Sequence, residues 1–196
     1  MSDFLLIHDI GHGAWAWGPV WGLLDADESG RVGWVHAMDL PGHGGRRSAP
    51  PEQVTLEGCA EVALQELQVE GLRAPIVVAH GLGAMVALHL AARMQPPPER
   101  LVLFAGAVPD QGQSYADVLT LRAQLALSGW GLLRPRQDVS FHKAVARFLL
   151  TGDVDYPTAA GRVLGYLEPF PRGLLYEPFA MPPLRAVPPI TYVVLT

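Results

Sequence analysis

Apolar residues fall along this chain in two kinds of run. Five are short, nearly unbroken and rich in β-branched or aromatic residues: FLLIHD (4–9), VGWVHAMDL (32–40), PIVVAH (75–80), RLVLFAG (100–106) and PITYVVLT (189–196). Runs of this length with little polar alternation, bounded by turn residues, predict strands buried on both faces. Between them WAWGPVWGLLDAD (15–27), TLEGCAEVALQELQVEG (55–71) and LGAMVALHLAARM (82–94) carry helical spacing. Alternating strands and helices predict a parallel sheet flanked by helices. The rhythm changes from Ser114 to Arg185, where SYADVLTLRAQLAL, SFHKAVARFLL and PTAAGRVLGYL follow one another without an intervening strand. The stretch after them, EPFPRGLLYEPFAMPPLRAVPPI, holds so many prolines that regular structure is not expected there. The pattern predicts a core over 1–113, a helical cap over 114–185 and a last core strand over 186–196.

Composition narrows the setting. With 49% hydrophobic and 17% charged residues, 196 residues suffice for one domain around one core. The formal net charge is -5 and the 14 Lys and Arg are scattered, so no basic stripe exists to neutralise phosphates, and nucleic acid is not an expected partner. No apolar run reaches the ~18 residues of a membrane span, and MSDFLLIHD has an acid where a signal peptide needs positive charge. The single cysteine, Cys59, lies in an amphipathic run and reads as a small buried hydrophobe. The expectation is a soluble, cytoplasmic protein.

One stretch carries the mounting of a catalytic nucleophile. VVAHGLGAMVALHLA (77–91) reads as strand, tight turn and a helix that opens on small residues, the layout that lifts a nucleophile above a sheet. Gly83 and Ala84 are the small neighbours, and Gly81 stands where the nucleophile belongs. Read by itself, HGLG is also compatible with a plain glycine-containing turn. PGHGG (41–45) lacks the GK[ST] ending of a phosphate loop, and HGLGA lacks GxGxxG spacing, so no cofactor is assigned. His8 and His12 flank a glycine-rich loop with no accompanying cluster of carboxylates and histidines, and no metal is assigned.

FLLIHDIGHGAWAW, MDLPGHGGRRS, VVAHGLGAMVALHLA and LVLFAGAVPDQGQS occur in the order seen in α/β-hydrolases. The chain resembles the branch of small esterases related to plant methylesterases and hydroxynitrile lyases, and GDVDYPTAAGRVLGYLEP resembles that branch's cap segment. The resemblance implies an α/β fold with a parallel sheet of about five strands, flanking helices and a small cap, truncated at its C-terminal edge. It makes the turn at Gly81 a vacated nucleophile elbow. It puts the family's acid and histidine beyond Thr196, leaving Asp110 as an acid in a place some members use, or as a loop or capping residue. His142 falls in a cap helix, and His80 corresponds to a side chain that points away from substrate. The oxyanion hole would be the backbone N–H groups of Ile10 and Leu82. Asp9 replaces the glycine usual in these esterases; facing the hole it would oppose an oxyanion, facing away it would cap the loop, and the sequence leaves both open.

The expected protein is esterase-like without a triad. It binds a small organic molecule, a carboxylate or ester among the options, between Ile10, Gly81 and Leu82 below and Trp130 and Phe148 of the cap above. A free helix N-terminus over Gly81 is expected to favour an anion there. Two alternatives stand beside this: a cofactor-free hydrolase or lyase using Asp9, His80 or Asp110, and a shortened product without an evolved activity. An open apolar strand at 189–196 predicts a homo-oligomer through that edge.

Overall fold

The computed structural model describes residues 1–106, 108–119, 121, 170–184 and 187–194. Five strands form one sheet: β1 (Ser2–Ile7), β2 (Val32–Met38), β3 (Ile76–His80), β4 (Arg100–Phe104) and β5 (Ile190–Val193). Their order is β2-β1-β3-β4-β5, and every neighbouring pair is parallel. All five apolar runs thus became strands. β1 ends two residues short of the run that predicts it, which releases His8 and Asp9 from the ladder into the following loop.

Helix α1 (Gly18–Asp25) is preceded by a 3-10 turn at Ala14–Trp17, because Pro19 fits only the first turn of an α-helix. Helices α2 (Leu56–Val69) and α3 (Gly83–Arg93) pack on one another, with α3 over β1, β3 and β4. Thr55 caps α2, its hydroxyl accepting the Gly58 N–H at 2.9 Å, and Glu177 Oε2 accepts the Leu56 N–H at 2.9 Å. Contrary to expectation, the proline-rich stretch holds a short helix, α4 (Arg172–Tyr176). Pro171 occupies its N-cap and Pro178 follows it, so the prolines bound the helix instead of interrupting it. Most of the cap, including Trp130, His142 and Phe148, lies outside the described residues.

The core is the middle of the sheet and the helices on it. Leu5, Ile7, Val77, Ala79, Leu101 and Leu103 are buried, as is every residue of α3 from Gly83 to Ala91. Cys59 is fully buried, and desolvation pushes its thiol up to about 12, as befits a hydrophobe. The prediction of strands covered on both faces holds only in part. Trp34 on β2 is 58% exposed and Tyr192 on β5 52% exposed, and on the inner strand β4 Phe104 is also 37% exposed, so the failure is one of cover on a face and is not confined to the edges.

This topology marks a place for a site. From β1 the chain moves outward to β2 and then returns to β3 on the opposite side of β1. The loops leaving β1 and β3 therefore diverge, opening a crevice at the carboxyl ends of those strands. Asp9 and Gly81 are the residues at that crevice.

Candidate functional site

Gly81 follows β3 directly and adopts φ +55°, the left-handed geometry of a nucleophile elbow. Its N–H donates to the Phe104 carbonyl at 3.3 Å, tying the turn to β4. Gly83 must also be small: a Cβ there would lie 2.7 Å from the His8 carbonyl. The elbow is present as a backbone shape, and no side chain stands on it.

The space above it is filled from the loop after β1. Asp9 Oδ1 accepts the N–H of Ile10 at 2.7 Å and the N–H of Leu82 at 2.7 Å, the two amides expected to form an oxyanion hole. The Tyr115 hydroxyl donates to both carboxylate oxygens, at 3.1 and 3.2 Å. A Cβ on residue 81 would lie 2.1 Å from Asp9 Cγ, so the carboxylate occupies the volume a nucleophile's side chain would need. The orientation of Asp9 is thereby settled: it faces the hole and is the anion in it. The expectation of an open anion site over Gly81 is corrected accordingly, since both amides and the positive end of α3 are already engaged by the protein's own carboxylate. Hydrogen bonds to a charged acceptor contribute about 1.5–3 kcal/mol each, which makes this a firmly held group. Burial and the adjacent Asp9 push the Tyr115 phenol upward, so Tyr115 remains a donor at neutral pH.

The loop itself is anchored from below. His8 is 1% exposed; its Nδ1–H donates to the Asp9 carbonyl at 2.7 Å and its Nε2 accepts the Leu40 N–H at 3.0 Å. That pairing requires one neutral tautomer, and burial holds the ring there by pushing its pKa down to about 3. Asp39, just past β2, accepts the Ala14 N–H at 2.7 Å and the Gly45 N–H at 2.9 Å, joining the GHGAW loop to the PGHGG turn. Those glycines therefore build a turn around a carboxylate.

His80 is half-buried at the end of β3, edge-on to the rings of His12 at 5.9 Å and Phe104 at 6.2 Å between centroids. Burial lowers its pKa although the Asp9 charge raises it. His12 stacks on Trp15 at 5.6 Å and donates Nδ1–H to the Ile10 carbonyl at 3.1 Å. These rings wall a cleft of about 250 Å³ between the strand ends and the start of α1. Asp110 is an exposed loop residue whose N–H donates to Gln113 Oε1 at 3.3 Å and whose carbonyl accepts the Gln113 N–H at 3.0 Å. Among the described residues no three His, Cys, Asp or Glu converge as a metal site, and no helix is long and apolar enough to cross a membrane. Sequence reasoning missed Tyr115, because nothing in SYADV marks a hydroxyl aimed at a carboxylate 106 positions away.

Sequence comparison yields two relatives, each matched over more than half of the chain. A carbendazim hydrolyzing esterase of Nocardioides sp. (strain SG-4G) is 31% identical over 122 residues, 61% of this chain and 48% of the esterase. Methylesterase 9 of Arabidopsis thaliana is 36% identical over 112 residues, 56% of this chain and 42% of the methylesterase. The matched part spans less than half the length of either relative. Among solved structures, an extracellular α/β-hydrolase from a Paenibacillus species, described as sharing structural and functional homology with tobacco salicylic acid binding protein 2, superposes with a TM-score of 0.80 at 19% identity. That superposition covers 98% of this chain and 76% of the other, and at such identity it speaks for the fold. With its sheet order and elbow backbone in place, and with residues 4–196 matched by the model of the family, the chain belongs to the alpha/beta hydrolase family.

Proposed function

We propose that this chain is an esterase-like member of its family that has left serine hydrolysis and holds a small organic molecule instead. The observation that carries the reading is the exchange at the elbow: Gly81 has no nucleophile, and Asp9 fills the oxyanion hole. Ester hydrolysis by this fold needs both a nucleophile and donors free to receive a developing oxyanion, and losing one hole donor alone costs about 10²–10³ in rate. Here both donors are spent on an anion. A substrate carbonyl brought to Leu82 would meet like charge, so the two substitutions reinforce each other. The relatives' action on esters is support for an inherited small-molecule pocket, and no support for inherited turnover.

A second reading keeps one observation of its own. The Asp9 charge acts on His80, and such a carboxylate–imidazole neighbourhood is what a cofactor-free hydrolase or lyase would use to move a proton. Asp110, on the surface, has no part in it.

Assays with p-nitrophenyl acetate and butyrate separate the readings. The protein is expected to give no turnover above buffer, and Gly81→Ser alone no rescue, because the new side chain would collide with Asp9 and lack a free hole. Saturable ester turnover by the unmodified protein, surviving repurification and abolished by Asp9→Asn, would overturn the binding-protein reading in favour of the second.

A further inference from the structure

Residues 171–181 run across the molecule as a strap. Pro171 sits on the turn at Gly42, where a Cβ would lie 2.7 Å from its Cγ, and Glu177 Oε2 caps α2 by accepting the Leu56 N–H at 2.9 Å. Leu174, Leu175 and Phe179 are buried in one apolar cluster with Tyr115 and α3. The Phe179 N–H donates to the Gln113 carbonyl at 2.7 Å, and its carbonyl accepts the Gly112 N–H at 2.8 Å. Tyr115, two residues beyond Gln113, opens the 3-10 turn Tyr115–Val118 and holds its hydroxyl on Asp9. The strap thus fastens the stretch that aims the phenol at the occupant of the oxyanion hole.

Beneath the strap is a buried imidazole. Phe179 covers His89 of α3 with ring centroids 5.7 Å apart at 82°, and the two residues are 2% and 4% exposed. Neither ring nitrogen of His89 has a hydrogen-bond partner among the described residues, a state that native structures rarely keep for buried polar atoms. We propose that the strap is an acid-released latch: a proton taken up by His89 while Phe179 is lifted holds the strap off α3 and loosens the hold of Tyr115 on Asp9. Water does not reach the seated nitrogens, so protonation belongs to the lifted state and shifts the balance toward it.

The surroundings of His89 set the sign. Desolvation lowers its pKa most, Arg93 one turn further along α3 lowers it again, and Glu57 of α2 raises it. Glu57 compensates little, because its side chain is 71% exposed and its carboxylate already pairs with Arg93 at 3.5 Å. The attraction of an aromatic ring for a cation is weak against the cost of burying that cation without a partner. With its pKa lower seated than lifted, His89 leaves the strap firm above pH 6.5 and frees it as pH falls toward the seated value. Of the strap's own groups, Arg172 and Tyr176 are exposed, and Glu177 acts on Glu57 and Cys59. Burial raises the Glu177 pKa, so the seated strap binds that proton more tightly and Glu177 opposes release.

Amide hydrogen exchange of the whole chain at pH 7 and pH 5.5, read as protection factors, is the test. The Gly112 and Phe179 amides are expected to exchange through an opening smaller than unfolding, with less protection than the β3 ladder. Their protection should fall several-fold from pH 7 to 5.5, with about eightfold as the ceiling for a lifted His89 that titrates at 6.5. His89→Leu removes the titrating ring without breaking a side-chain hydrogen bond, so both amides are expected to keep their protection, while the β3 ladder still responds to acid through His8. The loss of protection at Leu82 should be smaller in that variant than in the unmodified chain. Glu177→Gln keeps an oxygen for the Leu56 N–H and removes the opposing proton, so the fall at Gly112 and Phe179 is expected to persist or grow. Strap amides as firmly protected as the β3 ladder, protection that holds or rises in acid, or an equal fall in His89→Leu overturns the latch. An equal response of Leu82 in the two proteins overturns its link to Asp9.

Discussion

A methyl group on residue 81 would lie 2.2 and 2.3 Å from the two oxygens of Asp9 and 2.1 Å from Cγ, so positions 9 and 81 can only be understood as a pair. Glycine costs an elbow its nucleophile but opens the volume that a carboxylate now uses, and the carboxylate in turn satisfies two amides that the open turn would leave bare. The substitution Gly81→Ala tests this. It forces a side chain into φ +55°, worth about 1–2 kcal/mol of strain, and evicts Asp9 from the Ile10 and Leu82 amides at about 1–3 kcal/mol each. The expected loss of stability is about 3 kcal/mol or more. In an Asp9→Gly background only the strain remains, so the same substitution should cost about 1–2 kcal/mol there. Urea denaturation of the four proteins gives the coupling directly; additivity within about 0.5 kcal/mol would show that Asp9 and residue 81 do not compete for one volume.

At the scale of elements, the central strands were legible and the edges were not. FLLI, IVVA and RLVLF are read correctly as strands because their apolar runs suit the inside of a parallel sheet, although Phe104 at the end of β4 is 37% exposed. The same continuous pattern in β2 and β5 promised burial that the structure withholds, since periodicity reports the chemistry of a strand and not its rank in the sheet. The elbow was legible for a local reason, its strand–turn–helix spacing. The occupant of the hole was not, because the Asp9 to Leu82 hydrogen bond joins residues 73 apart and a loop aspartate points where distant partners draw it. β5 carries the remaining consequence. Ile190 and Tyr192 are 45% and 52% exposed on a strand with one described neighbour, β4, and Val194 just past its end is 67% exposed. We propose that a second copy of the chain covers this edge, because open apolar edges recruit strands and like edges pair readily about a twofold axis. Light scattering is expected to show a dimer or larger species that Tyr192→Lys converts to monomer. A monomer at every concentration, or a dimer indifferent to that change, sinks the idea.

For the molecule as a whole, the groups that titrate pull unequally and leave it sensitive to acid. The His8 ring has a pKa near 3 in the fold against 6.5 when unfolded, so between those values the unfolded chain binds a proton the folded chain refuses. Its contribution is therefore complete above pH 6.5 and is lost progressively as pH falls toward 3; at ~1.4 kcal/mol per pH unit the full loss is about 4–5 kcal/mol. Typical domains have only about 5–15 kcal/mol in total. Burial lowers His80 and His89 as well, and they act in the same sense. His36 opposes them: its bond to Glu66 raises its pKa, so its contribution is complete below pH 6.5 and is lost only as pH rises through the folded value. Glu66 is pushed up by burial but drawn down further by His36 and Arg46, so its contribution is present above pH 4.5 and fades as pH falls through its folded value. His36 and Arg46 have side chains 23% and 42% exposed, so water screens their part more than that of His8. The balance predicts that urea stability at pH 5 lies about 2 kcal/mol below that at pH 7 from His8 alone. His8→Gln should be less stable at pH 7, having lost its fit between the Asp9 carbonyl and the Leu40 N–H, yet its difference between pH 7 and pH 5 should shrink by about 2 kcal/mol. Because His8 holds the backbone that presents Asp9, opening of the Leu82 amide should become easier over the same pH range, visible as a lower protection factor there once the slower intrinsic exchange in acid is divided out. Equal pH dependence in the two proteins, or unchanged protection of Leu82 from pH 7 to pH 4, would mean that neutral His8 is not what keeps the hole filled.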